Sequence, residues 1–304
     1  MDERIANLAQ VAGVTRYTYT EGREKGLDVI DCNNGTIRFL LNVNKACDVM
    51  QLFHKGQNVS FVSKNGFMQR EIPFLNRFEG GMVYTCGLNS LADREGFDFH
   101  GSIHNIPSQI VRAECNEDGI VVEAVVRDTE LCGRNLALKR KITSAIGSDS
   151  VTVEDTVANE GFRDAEYCLL YHVNIGYPML DEGAKIVVDA EKWEPRTPWS
   201  AENMDTVFDV SAPVVDMEET CYFLTLKTPE ASLVNEKLGK KFTISYSGDT
   251  LPHFIEWKNM VSGDYAVGLE PATSELDEGR FHYNTVKAGE SVVFSVKLSV
   301  TELK

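Results

Sequence analysis

The amino-acid sequence predicts an all-β protein, a large antiparallel sandwich or barrel, on three observations. Short runs rich in Val, Ile, Thr, Tyr and Phe recur along most of the 304 residues, and many alternate polar with apolar side chains. Gly, Asn or Asp punctuates these runs. No alternation of helical and extended segments accompanies them, which excludes Rossmann and TIM-barrel architectures. A composition of 43% hydrophobic and 25% charged residues is enough to build a large core.

Along the chain, residues 2–12 read as one short amphipathic helix, with Ile5, Leu8 and Val11 or Ala12 on a face. Strands follow at 29–31, 36–43, 57–62, 119–127 and 135–142, and again at 150–157, 221–226, 241–246 and 291–300. From Trp193 to Val215 the periodicity lapses and Pro195, Pro198 and Pro213 intervene, so this stretch reads as a long surface loop. Apolar strands resume on both sides without a change of composition. The expectation is one domain over residues 1–304, with 1–24 as an N-terminal helix and extension, and no internal repeat.

With 46 acidic against 30 basic residues the net charge is -16, which repels phosphate backbones and anionic membrane surfaces, so neither nucleic acid nor membrane is expected as a partner. The seven cysteines (Cys32, Cys47, Cys86, Cys115, Cys132, Cys168, Cys221) occur singly with no CxxC pair, so no zinc knuckle or redox motif is indicated. Several lie in apolar runs and read as buried, reduced thiols, which implies a reducing compartment. The opening Met-Asp-Glu-Arg-Ile-Ala-Asn-Leu lacks the apolar core of a signal peptide, and no apolar run reaches membrane-spanning length. The expected location is the cytoplasm.

Three segments carry polar groups where a strand would otherwise be bland. In Tyr167-Cys-Leu-Leu-Tyr-His-Val-Asn-Ile, strand alternation puts Tyr167, Leu169, Tyr171, Val173 and Ile175 on one apolar face and presents His172 with Asn174 on the other. A hydrogen-bonded structural histidine is an equal reading of these residues alone. In Tyr265-Ala-Val-Gly-Leu-Glu-Pro, Glu270 follows Ala266 and Gly268 on one face, and those small neighbours leave room for a ligand. In Phe97-Asp-Phe-His-Gly-Ser-Ile-His, a regular strand would set Asp98, His100, Ser102 and His104 on one face, with Gly101 as a potential break. Metal binding by His100, His104, His172 and Glu270 is the less favoured reading, because the two early histidines are too widely spaced to be adjacent donors on one strand.

These segments resemble the aldose 1-epimerase superfamily, and most closely its DUF4432, galactose mutarotase-related branch. The resemblance rests on Phe78-Glu-Gly-Gly-Met-Val-Tyr-Thr-Cys-Gly-Leu, Phe99-His-Gly with Asn105-Ile-Pro, Tyr171-His-Val-Asn-Ile-Gly-Tyr-Pro, and Trp257-Lys-Asn-Met running on to Gly268-Leu-Glu-Pro. It covers the chain from about residue 25 onward. It implies a large antiparallel β-supersandwich with a sugar cleft across one sheet, few helices, and anomer interconversion with no cofactor and no metal. By the same resemblance His172 is the general acid and Glu270 the general base. His100 contacts the sugar near its ring oxygen, and Arg77, in the pair Asn76-Arg77, binds the sugar. Asn174, Lys258 and His104 complete the candidate sugar-binding set.

The chemistry suits these residue types. Interconverting anomers takes a proton from the C1 hydroxyl and gives one to the ring oxygen, so an acid and a base must flank one centre. Histidine titrates near neutrality and can donate, whereas glutamate is ordinarily ionised and can accept. Lys258, Arg77 or Arg280 could read a carboxylate or phosphate on the sugar, and Trp257, Tyr177 or Phe99 could stack on it, although solvated charges and core aromatics are the commoner fates. A lyase, hydrolase or other carbohydrate isomerase, or a sugar-binding module without turnover, is also compatible with such a fold.

Overall fold

The same alternation that marks the sequence builds two antiparallel sheets of five and thirteen strands. The computed structural model describes residues 3–70, 72–92, 96–277 and 279–303. The small sheet runs in chain order: β1 (Gly13–Thr18), β2 (Asp28–Asn33), β3 (Ile37–Asn42), β4 (Asp48–His54) and β5 (Gln57–Asn58). A one-turn helix, α1 (Phe74–Arg77), leads into the large sheet. That sheet comprises β6 (Tyr84–Leu88), β7 (Gln109–Asn116), β8 (Gly119–Thr129), β9 (Asn135–Ser144), β10 (Ser150–Asn159) and β11 (Ala165–Ile175). It continues with β12 (Lys185–Pro195), then, after α2 (Pro198–Glu202), with β13 (Thr220–Asn235), β14 (Lys240–Tyr246), β15 (His253–Asn259), β16 (Ala266–Ala272), β17 (Asn284–Val286) and β18 (Ser291–Glu302). Its spatial order is β17-β11-β16-β15-β13-β14-β18-β10-β9-β8-β7, with β12 also on β13 and β6 also on β11. This is an all-β arrangement of two antiparallel sheets, with few and short helices among the described residues.

Inward residues of both sheets form one apolar cluster, including Phe39, Leu41 and Leu52 of the small sheet and Val122, Leu138, Val153 and Phe294 of the large one. Such mutual burial is the main favourable term holding the layers together. A fully buried charged group is set into this interface. Arg140 (β9) hydrogen-bonds Asp155 (β10) at 2.7 and 2.9 Å and the Ala46 carbonyl at 2.9 Å, and it pairs with Asp48 (β4). Tyr171 (β11) donates to Asp155 at 2.8 Å. Asp48 is held down at about 2, because Arg140, His104 and Thr85 outweigh its burial.

β11 is decisive for the site. Tyr167, Leu169, Tyr171, Val173 and Ile175 enter the main core, as the alternation predicts. The opposite face is also covered: Cys168 and Leu170 belong to a second apolar cluster with Tyr84, Cys86, Phe223 and Ile255. His172 and Asn174 are therefore buried, at 4% and 0% exposure.

Three expectations need correction. The helix expected over 2–12 is only a 3-10 turn at Leu8–Gln10, capped by Asn7, before β1 begins at Gly13; residue 2 lies outside the described residues. Ile5 and Leu8 are only half-buried, so the apolar stripe has too little to pack against to hold a helix. The stretch from Trp193 first completes β12, and its loop carries α2, with Thr197 accepting from the Ser200 N–H and Pro198 at the first helical position. The segment around His100 is not a strand. His100 and Gly101 both take left-handed conformations (φ +64° and +79°), and a 3-10 turn follows at Ile103–Asn105. A side chain at 101 would meet the carbonyl oxygens of Gly87 and Ser90 at 2.4 Å, so glycine is required there. Among the described residues, no helix is long and apolar enough to cross a membrane.

Candidate active site

Cross-strand pairing assembles the site. β11 pairs with β16 so that Val173 faces Leu269 and Asn174 faces Gly268, a register that sets His172 opposite Glu270. On the other flank of β11, His172 pairs with Tyr84 of β6. On β15, Ile255 pairs with Glu270 and Trp257 with Gly268, and on β13, Phe223 pairs with Ile255 and Cys221 with Trp257. Paired residues share a sheet face, so two parallel rows run across the sheet: Phe223–Ile255–Glu270–His172–Tyr84 over five strands and Cys221–Trp257–Gly268–Asn174 over four.

Within these rows His172 Nε2 lies 3.2 Å from Glu270 Oε1. The Trp257 ring stands edge-on to the imidazole, 5.3 Å between centroids, and its indole N–H donates to Glu219 at 2.8 Å. His100 approaches His172 from above the sheet, at 5.5 Å and nearly perpendicular. Its Nδ1 bonds the Leu91 carbonyl at 2.7 Å, which requires the proton on that nitrogen and orients the ring. Phe78 closes a third side at 5.7 Å. Outside it, Phe74 packs on Phe99 at 4.7 Å, and Arg77 pairs with Asp98 at 3.1 Å, joining α1 to the His100 turn as a cover.

The covered pair keeps unspent polar capacity. His172 Nδ1, Glu270 Oε1, Asn174 Oδ1 and the Tyr84 hydroxyl are all buried without a hydrogen-bond partner. Native interiors leave few such groups, and clustered ones mark a place where a polar ligand or water belongs. Burial pushes the His172 imidazole well below its usual value, helped by His100. Burial also lifts the Glu270 carboxyl well above the carboxylate range, against the pull of Arg196. His100 itself is lowered to about 4, chiefly by desolvation. Perturbed titratable groups converging in one place are a functional-site signature.

Not every predicted residue joins this constellation. His172, Glu270, Asn174 and His100 come together, and Arg77 lies in the cover, buried, donating to the Ile72 carbonyl at 2.8 Å. His104 is turned away: Nδ1 is 2.6 Å from Asp48, Nε2 is 3.5 Å from Glu79, and the ring stacks on Tyr84 at 3.6 Å. The left-handed turn at His100–Gly101 removes it from the face that strand alternation would have shared with His100. Lys258 is also engaged elsewhere. It points to the opposite face of β15 from Trp257 and donates to the carbonyls of Thr206, Val207 and Asp209 at 2.7, 2.7 and 3.0 Å. Both are corrections to the expected sugar-binding set. Among the described residues, no group of three or more His, Cys, Asp or Glu is arranged to hold a metal ion.

Two residues at the site escaped sequence reasoning. Tyr84 lies in a stretch whose alternation could have placed it beside an active face. Arg196 carried no signal, because it follows Pro195 in what read as an irregular loop, yet it sits at the site's rim with its Nε 2.6 Å from Asp277.

Comparison with known proteins agrees with this architecture. No curated protein sequence matches the chain. Among solved structures, the chain is similar to a protein from Klebsiella pneumoniae described as a candidate aldose 1-epimerase, with a TM-score of 0.86 at 18% identity over 95% of this chain and 83% of that one. It is similar to a galactose mutarotase-like protein from Clostridium acetobutylicum, with a TM-score of 0.71 at 15% identity over 97% and 100% of the two chains. A galactose mutarotase-like protein from Lactobacillus casei gives a TM-score of 0.62 at 12% identity over 90% and 100%. These identities establish a shared fold. Residues 24–300 match the family described as "Domain of unknown function (DUF4432)", and the chain belongs to that family, on the galactose mutarotase-like fold.

Proposed function

We propose that this protein is an isomerase that interconverts the anomers of a sugar, with His172 as proton donor and Glu270 as proton acceptor. The observation that carries this reading is the cross-strand placement of His172 and Glu270, 3.2 Å apart on one face, with unpartnered polar atoms around them.

The proton count fits the chemistry. Burial favours neutral imidazole and protonated carboxyl, so the pair holds one proton between its members. Moving that proton from Glu270 to His172 yields imidazolium beside carboxylate, with no exchange with solvent. A sugar entering between them replaces their mutual contact with its own C1 hydroxyl and ring oxygen. Glu270 then takes the hydroxyl proton as His172 gives one to the ring oxygen, the C1–O bond to the ring breaks, and the open-chain aldehyde forms. The pair is thereby returned to its neutral state. Rotation about C1–C2 and the reverse transfers close the ring on the other face. Positioned proton transfer of this kind contributes about 10²–10⁴-fold.

Trp257, its indole tied to Glu219, supplies a flat apolar wall for the sugar face, and His100 and Arg77 lie where sugar oxygens would pass. The seven cysteines, scattered singly with no CxxC pair, suit a reducing compartment, and we place the protein in the cytoplasm. Anomer exchange measured by NMR magnetisation transfer across a panel of aldoses tests the reaction. Acceleration by the wild type but not by His172→Ala or Glu270→Gln is expected. A new compound in place of exchange would point to a lyase, hydrolase or other isomerase, and unaltered rates in both variants would overturn the acid and base roles.

A further inference from the structure

The row that carries acid and base does not end at His172. β6 lies on the flank of β11 away from β16, and its Tyr84 pairs with His172. Glu270, His172 and Tyr84 therefore stand in that order on one sheet face, on three neighbouring strands. The Tyr84 ring is held in place: it stacks on His104 at 3.6 Å, with Phe78 at 5.3 Å and Phe74 at 6.2 Å. Two rings that enclose the His172 imidazole also border Tyr84. Phe78 lies 5.7 Å from His172, and His100 lies 5.5 Å from His172 and 6.5 Å from Tyr84. The Tyr84 hydroxyl is buried and, among the described residues, has no hydrogen-bond partner. Buried tyrosine hydroxyls ordinarily find one. We propose that Tyr84 is a specificity-determining residue whose hydroxyl donates to the C6 hydroxyl of the sugar, so that the substrate is an aldopyranose bearing an oxygen on C6.

The inference rests on the reading of Glu270 as acceptor from the C1 hydroxyl and His172 as donor to the ring oxygen. In a pyranose, O1, the ring oxygen and C6 lie along one edge in that order, because the ring oxygen joins C1 to C5 and C5 carries C6. A sugar with O1 at Glu270 and its ring oxygen at His172 therefore directs C6 toward Tyr84. Two strand spacings, about 10 Å, fit one pyranose with a hydrogen bond at either end. Burial pushes the Tyr84 phenol well above its ordinary value, so it is neutral and donates without adding charge beside the acid and base. Phe74 and Phe78 offer it nothing polar, and the two His104 nitrogens face Asp48 and Glu79. A pentopyranose or 6-deoxy sugar in the same place would leave the hydroxyl buried and unpaired, which is how a site of this kind rejects the analogue.

The test compares aldoses that differ only at C6, D-glucose with 6-deoxy-D-glucose and D-galactose with 6-deoxy-D-galactose, by kcat/KM for anomer exchange in wild type and Tyr84→Phe. In the pair it turns over faster, the wild type should prefer the 6-hydroxyl sugar by about tenfold or more. In Tyr84→Phe that preference should shrink to about threefold or less, with a melting temperature at or above that of wild type, because the hydroxyl removed has no partner in the protein. An equal or reversed preference in the wild type, or a full preference kept by the folded variant, overturns the inference. If Tyr84→Phe does not fold, the wild-type ratio alone decides. If the wild type accelerates neither member of either pair, the assigned reaction fails, and the same pairs are scored by equilibrium binding. A 6-hydroxyl preference in binding that Tyr84→Phe abolishes then keeps Tyr84 as a sugar contact, whereas binding without that preference, or no binding, overturns it.

Discussion

Gly268 occupies a position where a Cβ would lie 2.3 Å from Glu270 Oε1, 3.1 Å from His172 Cε1 and 3.2 Å from the Trp257 ring. The Glu270 carboxyl therefore packs over the bare Cα of residue 268, in the space that a side chain there would take. The φ of Gly268 is not left-handed, so alanine is compatible with the backbone, and the carboxyl end of Glu270 is what must yield. Gly268→Ala is expected to fold with a melting temperature within a few degrees of wild type while anomer exchange falls about 100-fold or more. Exchange rates and thermal unfolding on the same sample check both halves, and a fully active variant would mean the catalytic groups do not use this space.

Glu270 gives a prediction about stability. Its folded-state value is raised, so relative to the unfolded chain it favours folding below the ordinary carboxyl value of 4.5, and that contribution is lost as pH rises through the folded value. Glu270→Gln removes the ionisable group and keeps the shape. The variant should gain melting temperature over wild type progressively from pH 4.5 to pH 8 while losing activity. A difference that is flat across that range would contradict the buried-carboxyl account.

His100 runs in the opposite sense. Its folded value, about 4, lies below the ordinary 6.5, so its contribution is complete above pH 6.5 and lost as pH falls toward 4. His100→Asn, which keeps a donor for the Leu91 carbonyl, should show a shallower loss of stability between pH 6.5 and 4. Parallel denaturant titrations of the two proteins at four or five pH values measure the slope.

His104 belongs to the charged group between the sheets. Removing its ring leaves Asp48 and Glu79 short of a partner inside the core. His104→Ala should cost about 3–5 kcal/mol in urea unfolding, with the KM of whatever folds near that of wild type. A normal stability with a raised KM would instead return His104 to the sugar-binding set.

Lys258→Met strands three loop carbonyls and Glu256, both of whose carboxyl oxygens already lack hydrogen bonds. A loss of about 2–4 kcal/mol with earlier proteolysis in the 203–210 loop is expected. Limited proteolysis with mass mapping of the first cleavage decides it.

What the sequence determined by itself was local. Period-two alternation marks the long strands, sends Tyr171 and Val173 to the core and leaves His172 with Asn174 on the other face. Small residues before Glu270 signal space beside it. What only the tertiary structure decided was non-local. Register between β11 and β16 brings His172 and Glu270 from distant parts of the chain into one row, and pairing of β12 with β13 recruits Arg196 from an apparent loop. Two left-handed residues at 100 and 101 turn His104 into the core, and the reverse face of β15 takes Lys258. Alternation is dictated by the backbone of each strand, whereas register and burial depend on which strands meet, and that depends on packing of the whole chain.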